Sequence, residues 1–302
     1  MAGTRIVFLD ALTFGDVSLD RFTQTWDCTV HAITKAEEIL PRIDGFPIVV
    51  TNKVPVGRST LNAAEARGLR FIAEAATGTD NIDLAAARER GIAVANVPGY
   101  AAQSVAQFTI ALILELATHS GGYSDVVRCG HWAESPIYTR LDFPVIELAG
   151  KTLGIVGYGN IGRRVADMAR ALGMEVLLSL RPGSSEPEAG RVPLEKVLAE
   201  ADFVSLHCPL TPATKSLIDA RALALMKPGA FLVNTARGAL VDEAALVAAL
   251  KEQKLAGAAL DVISREPPPA DHPIVRAAKE LENLIVTPHC AWSAREARDR
   301  LL

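Results

Sequence analysis

Three side chains suited to acid–base or anion-binding chemistry follow strand-like segments in the second half of the sequence. Arg237 comes directly after the apolar run FLVNT, Glu266 lies in the proline-rich loop after AGAALDV, and His289 follows NLIVTP. An imidazole exchanges a proton near neutral pH, and a guanidinium binds a carboxylate through two parallel hydrogen bonds. A lone histidine is more often structural, but these three side chains at the carboxyl ends of strands together indicate a ligand site.

A glycine-rich loop, GYGNIG, precedes these residues and directly follows the apolar run TLGIVG. Gly157 allows the tight turn, Gly159 lets the backbone approach a pyrophosphate, and Gly162 lets the following helix pack on the strand. The N-terminus of that helix presents free N–H groups to the phosphates. The loop therefore predicts a dinucleotide site, to which Asn160 and Ile161 belong as members of the same run.

The second strand of this unit, EVLLSL, ends without the acidic residue that usually binds the ribose hydroxyls of NAD(H). Leu180 stands where that acid would fall, and Arg181 comes next. An arginine followed by Ser184 and Ser185 suits a 2′-phosphate, which favours NADP(H). The alternative is that Arg181 stacks on the adenine or faces solvent while NAD(H) binds with weaker ribose contacts, and Glu186 could then fold back toward the ribose.

Two sets of strand-like runs, with helix-like segments between them, carry these motifs. Apolar runs without alternation are typical of parallel strands that are covered on both faces. We therefore predict an α/β fold of two Rossmann-like, doubly wound parallel-sheet domains with a ligand cleft between them. The predicted strands are 6–10, 47–51, 69–75 and 92–97 in the first set, and 152–157, 175–180, 202–207, 231–235, 256–262 and 283–288 in the second.

Motifs along almost the whole chain resemble those of the D-isomer-specific 2-hydroxyacid dehydrogenases, in particular of their glycerate dehydrogenase/hydroxypyruvate reductase branch. Together these motifs are highly specific for the family and much less specific for one substrate. They are ATGTDNIDLAAARERGI (76–92), NVPGYAAQSVAQ (96–107), GKTLGIVGYGNIGR (150–163), SLHCPLTPAT (205–214), MKPGAFLVNTARGALVDE (226–243), GAALDVISREPPPADHP (257–273) and NLIVTPHCAW (283–292).

The resemblance implies an NAD(P)-dependent reaction in which a 2-oxo acid receives hydride at C2 and a proton on its oxygen. His289 matches the family's acid/base, and Glu266 matches the carboxylate that is paired with it. Arg237 matches the guanidinium that binds the substrate carboxylate and polarises the carbonyl group. Asp261 matches the residue that contacts the nicotinamide carboxamide, with a helix cap or a structural salt bridge as its alternative role.

Further contacts are implied in both domains. Backbone N–H groups of Thr77 and Gly78 match the family's anion-binding turn for the substrate carboxylate, and Tyr100 matches a position that shapes the substrate pocket. The remaining implied contacts are with the adenine side of the cofactor, at His207, Cys208 and Pro209, and with the nicotinamide, at Thr235 and Ala236.

We predict a flavodoxin-like substrate domain at 1–99 with 288–302, and a dinucleotide-binding domain at 100–287. Within the second domain, the irregular stretch 130–148 carries large side chains and predicts an arm that packs on a second subunit, which favours a homodimer. A loop folded on its own domain is the alternative for this stretch.

The composition narrows the class of protein. The 302 residues are 49% hydrophobic with a net charge of -4, which is ordinary for a globular protein and gives no reason to expect nucleic acid or an anionic membrane as partner. The four cysteines have no CxxC spacing, so neither a metal site nor a disulfide framework is predicted. The N-terminal MAGTRIVFLD has no signal-peptide pattern, and we expect a cytoplasmic protein.

The expected reaction is the reduction of hydroxypyruvate to D-glycerate or of glyoxylate to glycolate. The same chemistry on another 2-oxo acid, as in a D-lactate dehydrogenase, is the nearer alternative, because pocket size cannot be read from the sequence. A corepressor-like protein that senses NAD(H) is the more distant alternative, and it predicts a peptide-binding cleft and tolerance of the loss of His289.

Overall fold

The computed structural model describes residues 4–181, 183 and 188–302. It divides into two compact units, Met1–Ala101 with Ser293–Leu302 (unit 1) and Ala102–Trp292 (unit 2). The boundaries between the units, after Ala101 and after Trp292, lie a few residues beyond the predicted ones after 99 and 287. The segment that carries His289 therefore belongs to unit 2. Each unit contains one parallel sheet, and the predicted α/β class with two Rossmann-like units is confirmed.

Unit 1 is built on a five-stranded parallel sheet with the order β2-β1-β3-β4-β5. Its strands are β1 (Arg5–Phe8), β2 (Asp27–Val30), β3 (Ile48–Thr51), β4 (Phe71–Glu74) and β5 (Ala93–Ala95). Its helices are α1 (Asp20–Thr23), α2 (Ile39–Ile43), α3 (Arg58–Asn62), α4 (Leu84–Glu89) and α12 (Arg295–Leu301).

The central strands of unit 1 are apolar because both faces of its sheet are covered. Val7 is completely buried in an apolar cluster with Ile43 of α2 and Leu61 of α3. Its neighbour Phe8 is also completely buried and meets Phe14 edge-to-face at 6.4 Å between ring centres. Since successive side chains of a strand point to opposite faces, this pattern of continuous burial fits a doubly covered strand.

Unit 2 is built on a seven-stranded parallel sheet with the order β12-β11-β10-β9-β6-β7-β8. Its strands are β6 (Thr152–Val156), β7 (Glu175–Ser179), β8 (Arg191–Val192), β9 (Phe203–Leu206), β10 (Ala230–Asn234), β11 (Leu255–Leu260) and β12 (Leu284–Val286). Its helices are α5 (Ala102–Thr118), α6 (Ser120–Arg128), α7 (Asn160–Ala171), α8 (Leu194–Glu200), α9 (Ala220–Leu225), α10 (Glu243–Lys251) and α11 (Pro273–Glu280).

Two apolar cores lie on the two faces of the unit 2 sheet. On one face, Val165 of α7 and Ile113 of α5 are completely buried against the strands. On the other face, Leu246 of α10 and Leu198 of α8 pack on the same sheet. The strands are therefore held between helices, and their polar ends are the positions left for chemistry.

The predicted helical connection 101–129 forms two helices, because the chain turns at His119, whose φ is +50°. The ring of Phe143 stacks on His119 with 5.2 Å between centres, and it lies where a Cβ on Gly122 would come within 2.9 Å. The stretch 130–148 thus contacts α6 of its own unit. None of the helices formed by the described residues is long and apolar enough to cross a membrane.

Candidate active site

The loop between β6 and α7 is shaped by contacts that only glycine permits. Gly157 has a φ of +98°, and a Cβ there would lie 2.6 Å from the backbone nitrogen of Cys208. A Cβ on Gly162 would lie 2.2 Å from the carbonyl oxygen of Gly157. Gly159, the N-cap of α7, has no described atom within 4 Å of its Cβ position. The loop is therefore tight at two glycines and open at a helix N-terminus, which fits a dinucleotide pyrophosphate.

The first turn of α7 and the end of β9 complete the surroundings of this loop. Asn160 and Ile161 are the first two residues of α7, and Asn160 is exposed while Ile161 is half-buried. Their backbone N–H groups lie in the turn whose donors have no partner within the helix. Their predicted contact with the cofactor therefore falls on the helix N-terminus that the glycines leave open.

His207 and Cys208 follow β9 and lie against the glycine turn. The His207 N–H donates to the Val156 carbonyl at 2.7 Å, and its Nε2 lies 2.9 Å from the Ser205 hydroxyl. Burial lowers the pKa of His207 to about 3, so its ring is neutral, and burial raises the pKa of the Cys208 thiol to about 11. Pro209 is exposed beside them. The predicted adenine-side residues thus form an uncharged wall next to the glycine loop.

The end of β7 is the position where the cofactor's ribose would be recognised. The Leu180 N–H donates to the Val192 carbonyl at 2.8 Å, and Arg181 is exposed. Neither of these two positions carries a carboxylate that could accept the ribose hydroxyls. The other residues invoked for cofactor choice, Ser184, Ser185 and Glu186, lie outside the described residues.

Two arginines that the sequence analysis did not single out lie beside the glycine loop. The guanidinium of Arg163 is 5.2 Å from the centre of the Tyr158 ring, and that of Arg191 is 5.9 Å from it. Arg191 is also paired with Glu188 at 3.1 Å. The motif GYGNIGR could have pointed to Arg163. Arg191 gave no local signal, because it lies in β8, a strand of only two residues that pairs with the end of β7.

The segment after β10 is folded around the buried amide of Asn234. Its Nδ2 donates to the Arg237 carbonyl at 2.9 Å, and its Oδ1 accepts the Ala236 N–H at 3.0 Å. Thr235 is buried, with its hydroxyl 2.9 Å from that of Thr109 on α5. Arg237 is half-buried and donates through Nη1 to the Ala236 carbonyl at 2.8 Å. The amide therefore fixes the backbone that carries the guanidinium.

Asp261, directly after β11, holds the segment that follows β12. Its carboxylate is 1% exposed and accepts from the Thr287 hydroxyl at 2.7 Å and from the N–H groups of Cys290 and Ala291 at 2.9 Å. Its carbonyl accepts the His289 N–H at 2.8 Å. These bonds support the unusual left-handed φ of +52° at His289. Asp261 thus has an observed role in positioning His289, while its predicted contact with the nicotinamide stays a prediction.

Glu266 and His289 form a close pair. Glu266 Oε2 lies 2.5 Å from His289 Nδ1, and Glu266 Oε1 accepts the Ile263 N–H at 2.9 Å. The two side chains are only 32% and 27% exposed. A carboxylate at this distance accepts the Nδ1 proton and so fixes the tautomer and the orientation of the ring. Nε2 is therefore the ring nitrogen that can exchange a proton with a ligand.

The strand order brings the three chemically suited residues to one edge of the sheet. Arg237 follows β10, Glu266 lies in the loop after β11, and His289 follows β12, and these strands are neighbours. The Arg237 segment contacts the Glu266 loop, because a Cβ on Gly238 would lie 1.9 Å from the carbonyl carbon of Ile263. The glycine loop lies at the carboxyl edge of the same sheet, so a proton-exchanging pair and a guanidinium share an edge with the dinucleotide cradle.

Unit 1 carries the predicted substrate-binding turn. Thr77 and Gly78 follow β4, and the Thr77 side chain donates to the Val97 carbonyl at 3.1 Å. Asn96 donates from Nδ2 to the Thr77 carbonyl at 2.7 Å. Tyr100 is 9% exposed. The turn is thus held by side-chain bonds on both sides, which suits a backbone anion site.

The described residues contain no group of three or more His, Cys, Asp or Glu side chains that could hold a metal ion. Cys28, Cys129, Cys208 and Cys290 are free thiols.

Comparison with known proteins agrees with this geometry. Residues 110–291 match the family described as D-isomer specific 2-hydroxyacid dehydrogenase, NAD binding domain. The chain is 42% identical to a glycerate dehydrogenase of Methylorubrum extorquens, over 97% of this chain and 91% of the relative. It is 39% identical to a hydroxypyruvate reductase of Blautia hydrogenotrophica, over 99% of this chain and 93% of the relative. A solved structure, the TT0316 protein of Thermus thermophilus, superposes with a TM-score of 0.85 at 37% identity, covering 98% of this chain and 93% of that chain.

These similarities extend over nearly the whole chain, and the matched family region includes the glycine loop, Arg237, Glu266 and His289. The chain belongs to the D-isomer-specific 2-hydroxyacid dehydrogenases, and it is an oxidoreductase that uses a nicotinamide cofactor.

Proposed function

We propose that the enzyme reduces hydroxypyruvate to D-glycerate and glyoxylate to glycolate. The observation that carries this proposal is the 2.5 Å contact between Glu266 and His289 at the sheet edge that also carries the glycine loop. The relatives named glycerate dehydrogenase and hydroxypyruvate reductase, similar over nearly the whole chain, support this choice among 2-oxo acids.

In the proposed mechanism the nicotinamide supplies the hydride that reduces C2 of the substrate. His289 gives a proton from Nε2 to the carbonyl oxygen of the substrate and takes it back in the reverse direction. Glu266 stabilises the imidazolium and keeps the ring oriented through Nδ1. Arg237 binds the substrate carboxylate and stabilises negative charge on the carbonyl oxygen in the transition state. The proposed role of the Thr77 and Gly78 N–H groups is to bind a substrate carboxylate, and that of Tyr100 is to shape the substrate end.

NADP(H) is the proposed cofactor. Leu180 at the end of β7 cannot accept hydrogen bonds from two ribose hydroxyls, and the exposed Arg181 is available to a 2′-phosphate. Arg191, which β8 holds near the end of β7, is already paired with Glu188 at 3.1 Å, so the proposal depends on Arg181.

The cofactor proposal is tested by replacing Arg181 with alanine. A lost charge-assisted hydrogen bond to a phosphate is worth about 1.5–3 kcal/mol, so Arg181→Ala should raise the KM for NADPH about 10- to 100-fold and leave the KM for NADH nearly unchanged. Arg170→Ala is the matched control, because Arg170 is exposed on α7 and bonded to Asp167. A wild-type enzyme that prefers NADH would contradict the proposal.

A homodimer in the cytoplasm is the proposed state of the enzyme. The stretch 130–148 exposes large apolar side chains, among them Tyr138 at 90% and Leu141 at 83%, beside a cavity of about 350 Å³. Large apolar side chains that are exposed in one short segment favour burial against a partner. Analytical ultracentrifugation of the wild type and of a Tyr138→Ser, Leu141→Ser double variant would decide the assembly state.

The reaction itself is tested by steady-state kinetics with hydroxypyruvate, glyoxylate, pyruvate and a bulky branched 2-oxo acid, each with NADPH and NADH. We expect the highest kcat/KM for hydroxypyruvate or glyoxylate. A higher kcat/KM for pyruvate or the branched acid would mean that the enzyme carries out the same chemistry on another 2-oxo acid. No turnover with any of them would overturn the proposed activity.

A further inference from the structure

Unit 1 contains a buried carboxyl group that the proposed mechanism does not use. Glu74 is the last residue of β4 and is 1% exposed. Its Oε2 accepts a hydrogen bond from Asn81 Nδ2 at 3.1 Å. Its Oε1 is buried without a hydrogen-bond partner among the described residues. A carboxylate leaves solvent at low free-energy cost only when several donors surround it, and Glu74 has one.

The surroundings of Glu74 are rich in acceptors. Asn52 is 2% exposed, donates from Nδ2 to the Ala75 carbonyl at 2.5 Å, and has an Oδ1 that no described residue satisfies. Asp10, at the end of β1, accepts the N–H groups of Asn52 and Lys53 at 2.9 and 2.6 Å. The N–H groups of Asn52 and Lys53 are thus committed to Asp10. A proton on Glu74 would add a donor to a cluster in which Glu74 Oε1 and Asn52 Oδ1 have no described hydrogen-bond partner.

The charged groups around Glu74 act in both directions. Burial has the largest effect and raises the pKa of Glu74. The negative charges of Asp10 and Asp80 also raise it, whereas the Asn81 hydrogen bond and the positive charge of Lys53 lower it. The resulting pKa is about 8. Glu74 is therefore mostly protonated at neutral pH and mostly ionised above about pH 8.

Asn81 connects Glu74 to the predicted substrate-binding turn. Its Nδ2 donates both to Glu74 and to the Val54 carbonyl, at 3.1 and 3.2 Å, and its own carbonyl accepts the Val56 N–H at 2.8 Å. The loop that begins after Glu74 and contains Thr77 is therefore fixed at its far end by the Asn81 side chain and backbone.

Ionisation of Glu74 would act on this loop more than on the sheet. β4 lies between β3 and β5, whereas Thr77 and Asp80 in the loop are exposed. Since ionised Oε1 lacks a donor, conformations in which water reaches it become favoured, and the loop is the part of the cluster that can move to admit water.

We propose that Glu74 is a positioning residue that acts in its protonated form: its ionisation draws water toward Oε1, which loosens the loop that carries the Thr77–Gly78 turn and weakens binding of the substrate carboxylate. This proposal rests on the proposed function, because it assigns the turn to the 2-oxo acid. It predicts a substrate affinity that falls in mildly alkaline solution for a reason independent of His289.

The test compares the wild type with Glu74→Gln, whose neutral amide keeps the size of the side chain and supplies the missing donor. The dissociation constant of oxamate, an unreactive 2-oxo acid analogue, is measured for the NADPH complex between pH 6.5 and 9.5. The ratio of wild-type to variant dissociation constants cancels every pH dependence that the two proteins share. It should be near one at pH 7 and rise above pH 8, by at most about tenfold per pH unit, the limit for one linked proton.

Glu37→Gln is the matched control, because Glu37 is exposed in the same unit, and this variant should follow the wild type at every pH. A ratio that stays near one up to pH 9.5 would overturn the proposal. So would weaker oxamate binding by Glu74→Gln at pH 7.

Hydrogen exchange of the peptide 75–83 gives a reading that needs no turnover. At pH 9 the wild type should exchange several-fold faster than Glu74→Gln, and at pH 6.5 the two should agree. Equal rates at pH 9 would overturn the role of Glu74. Because this reading does not depend on a reaction, an enzyme that reduces none of the four 2-oxo acids would refute the proposed function while the exchange rates still decide the role of Glu74.

Discussion

The carboxyl edges of the two sheets carry equally buried acids with opposite surroundings. Asp261 in unit 2 and Glu74 in unit 1 are each 1% exposed. Asp261 accepts one hydroxyl and two backbone N–H groups, whereas Glu74 accepts one amide N–H and has an oxygen without a described partner. Asp261 therefore anchors three donors at one point. Glu74 has a single described donor, and burial raises its pKa to about 8.

The largest effect should come from replacing His289, whose backbone Asp261 holds in place. His289→Ala removes the proton-exchanging imidazole and should lower kcat about 100- to 10,000-fold, because general acid–base catalysis contributes about that much. Cofactor binding, measured by fluorescence titration with NADPH, should change little. A kcat within about tenfold of the wild type would show that the Glu266–His289 pair is structural. Asp261 would then position no catalytic group.

The next effect should come from replacing Asp261 itself. Asp261→Asn keeps the size of the side chain but turns an NH2 group toward backbone N–H donors, which should cost about 1–3 kcal/mol of unfolding free energy. Because the His289 backbone loses its support, kcat should fall as well. The measurements are urea unfolding and steady-state turnover.

Asp219→Asn is the control for that variant. Asp219 caps α9 by accepting the Ala222 N–H, and asparagine caps a helix about as well as aspartate. Its unfolding free energy should stay within about 0.5 kcal/mol of the wild type. An Asp261→Asn variant that matched this control would show that the donors around Asp261 are not what stabilises it.

The strands and the glycine loop were predictable because their signals are local. β6 is buried from Leu153 to Val156, so these residues form a continuous apolar run, and the glycines follow within a few positions. β2 was missed because DCTV is partly exposed and pairs only with β1. The helix break at His119 was missed because it depends on Phe143, which is distant in sequence.

The contact between Glu266 and His289 was predictable to the extent that sheet topology alone determines it. Residues that follow neighbouring parallel strands meet at one edge, which is how Glu266 and His289 come together from 23 positions apart. The number of donors around a buried carboxyl group depends on packing between distant segments. The sequence therefore gave no signal that Asp261 would be fully bonded or that Glu74 would not.

The effect that separates the two acids most directly is the pH dependence of the unfolding free energy. The pKa of Glu74 is raised from 4.5 to about 8 in the folded protein, so between these values the folded state keeps a proton that the unfolded state has lost. Stability that Glu74 supplies at low pH should thus decline as pH rises through this window, by at most about 1.4 kcal/mol per pH unit. Above about pH 8 both states are ionised and the decline ends.

Glu74→Gln should lack this slope, and Glu37→Gln should keep it. Urea unfolding of unit 1 at pH 5.5, 6.5 and 7.5, followed by Trp26 fluorescence after replacement of Trp132 and Trp292 by phenylalanine, measures the slope. Parallel slopes in the wild type and Glu74→Gln would mean that water or a rearranged donor already satisfies Glu74, and the contrast with Asp261 would disappear.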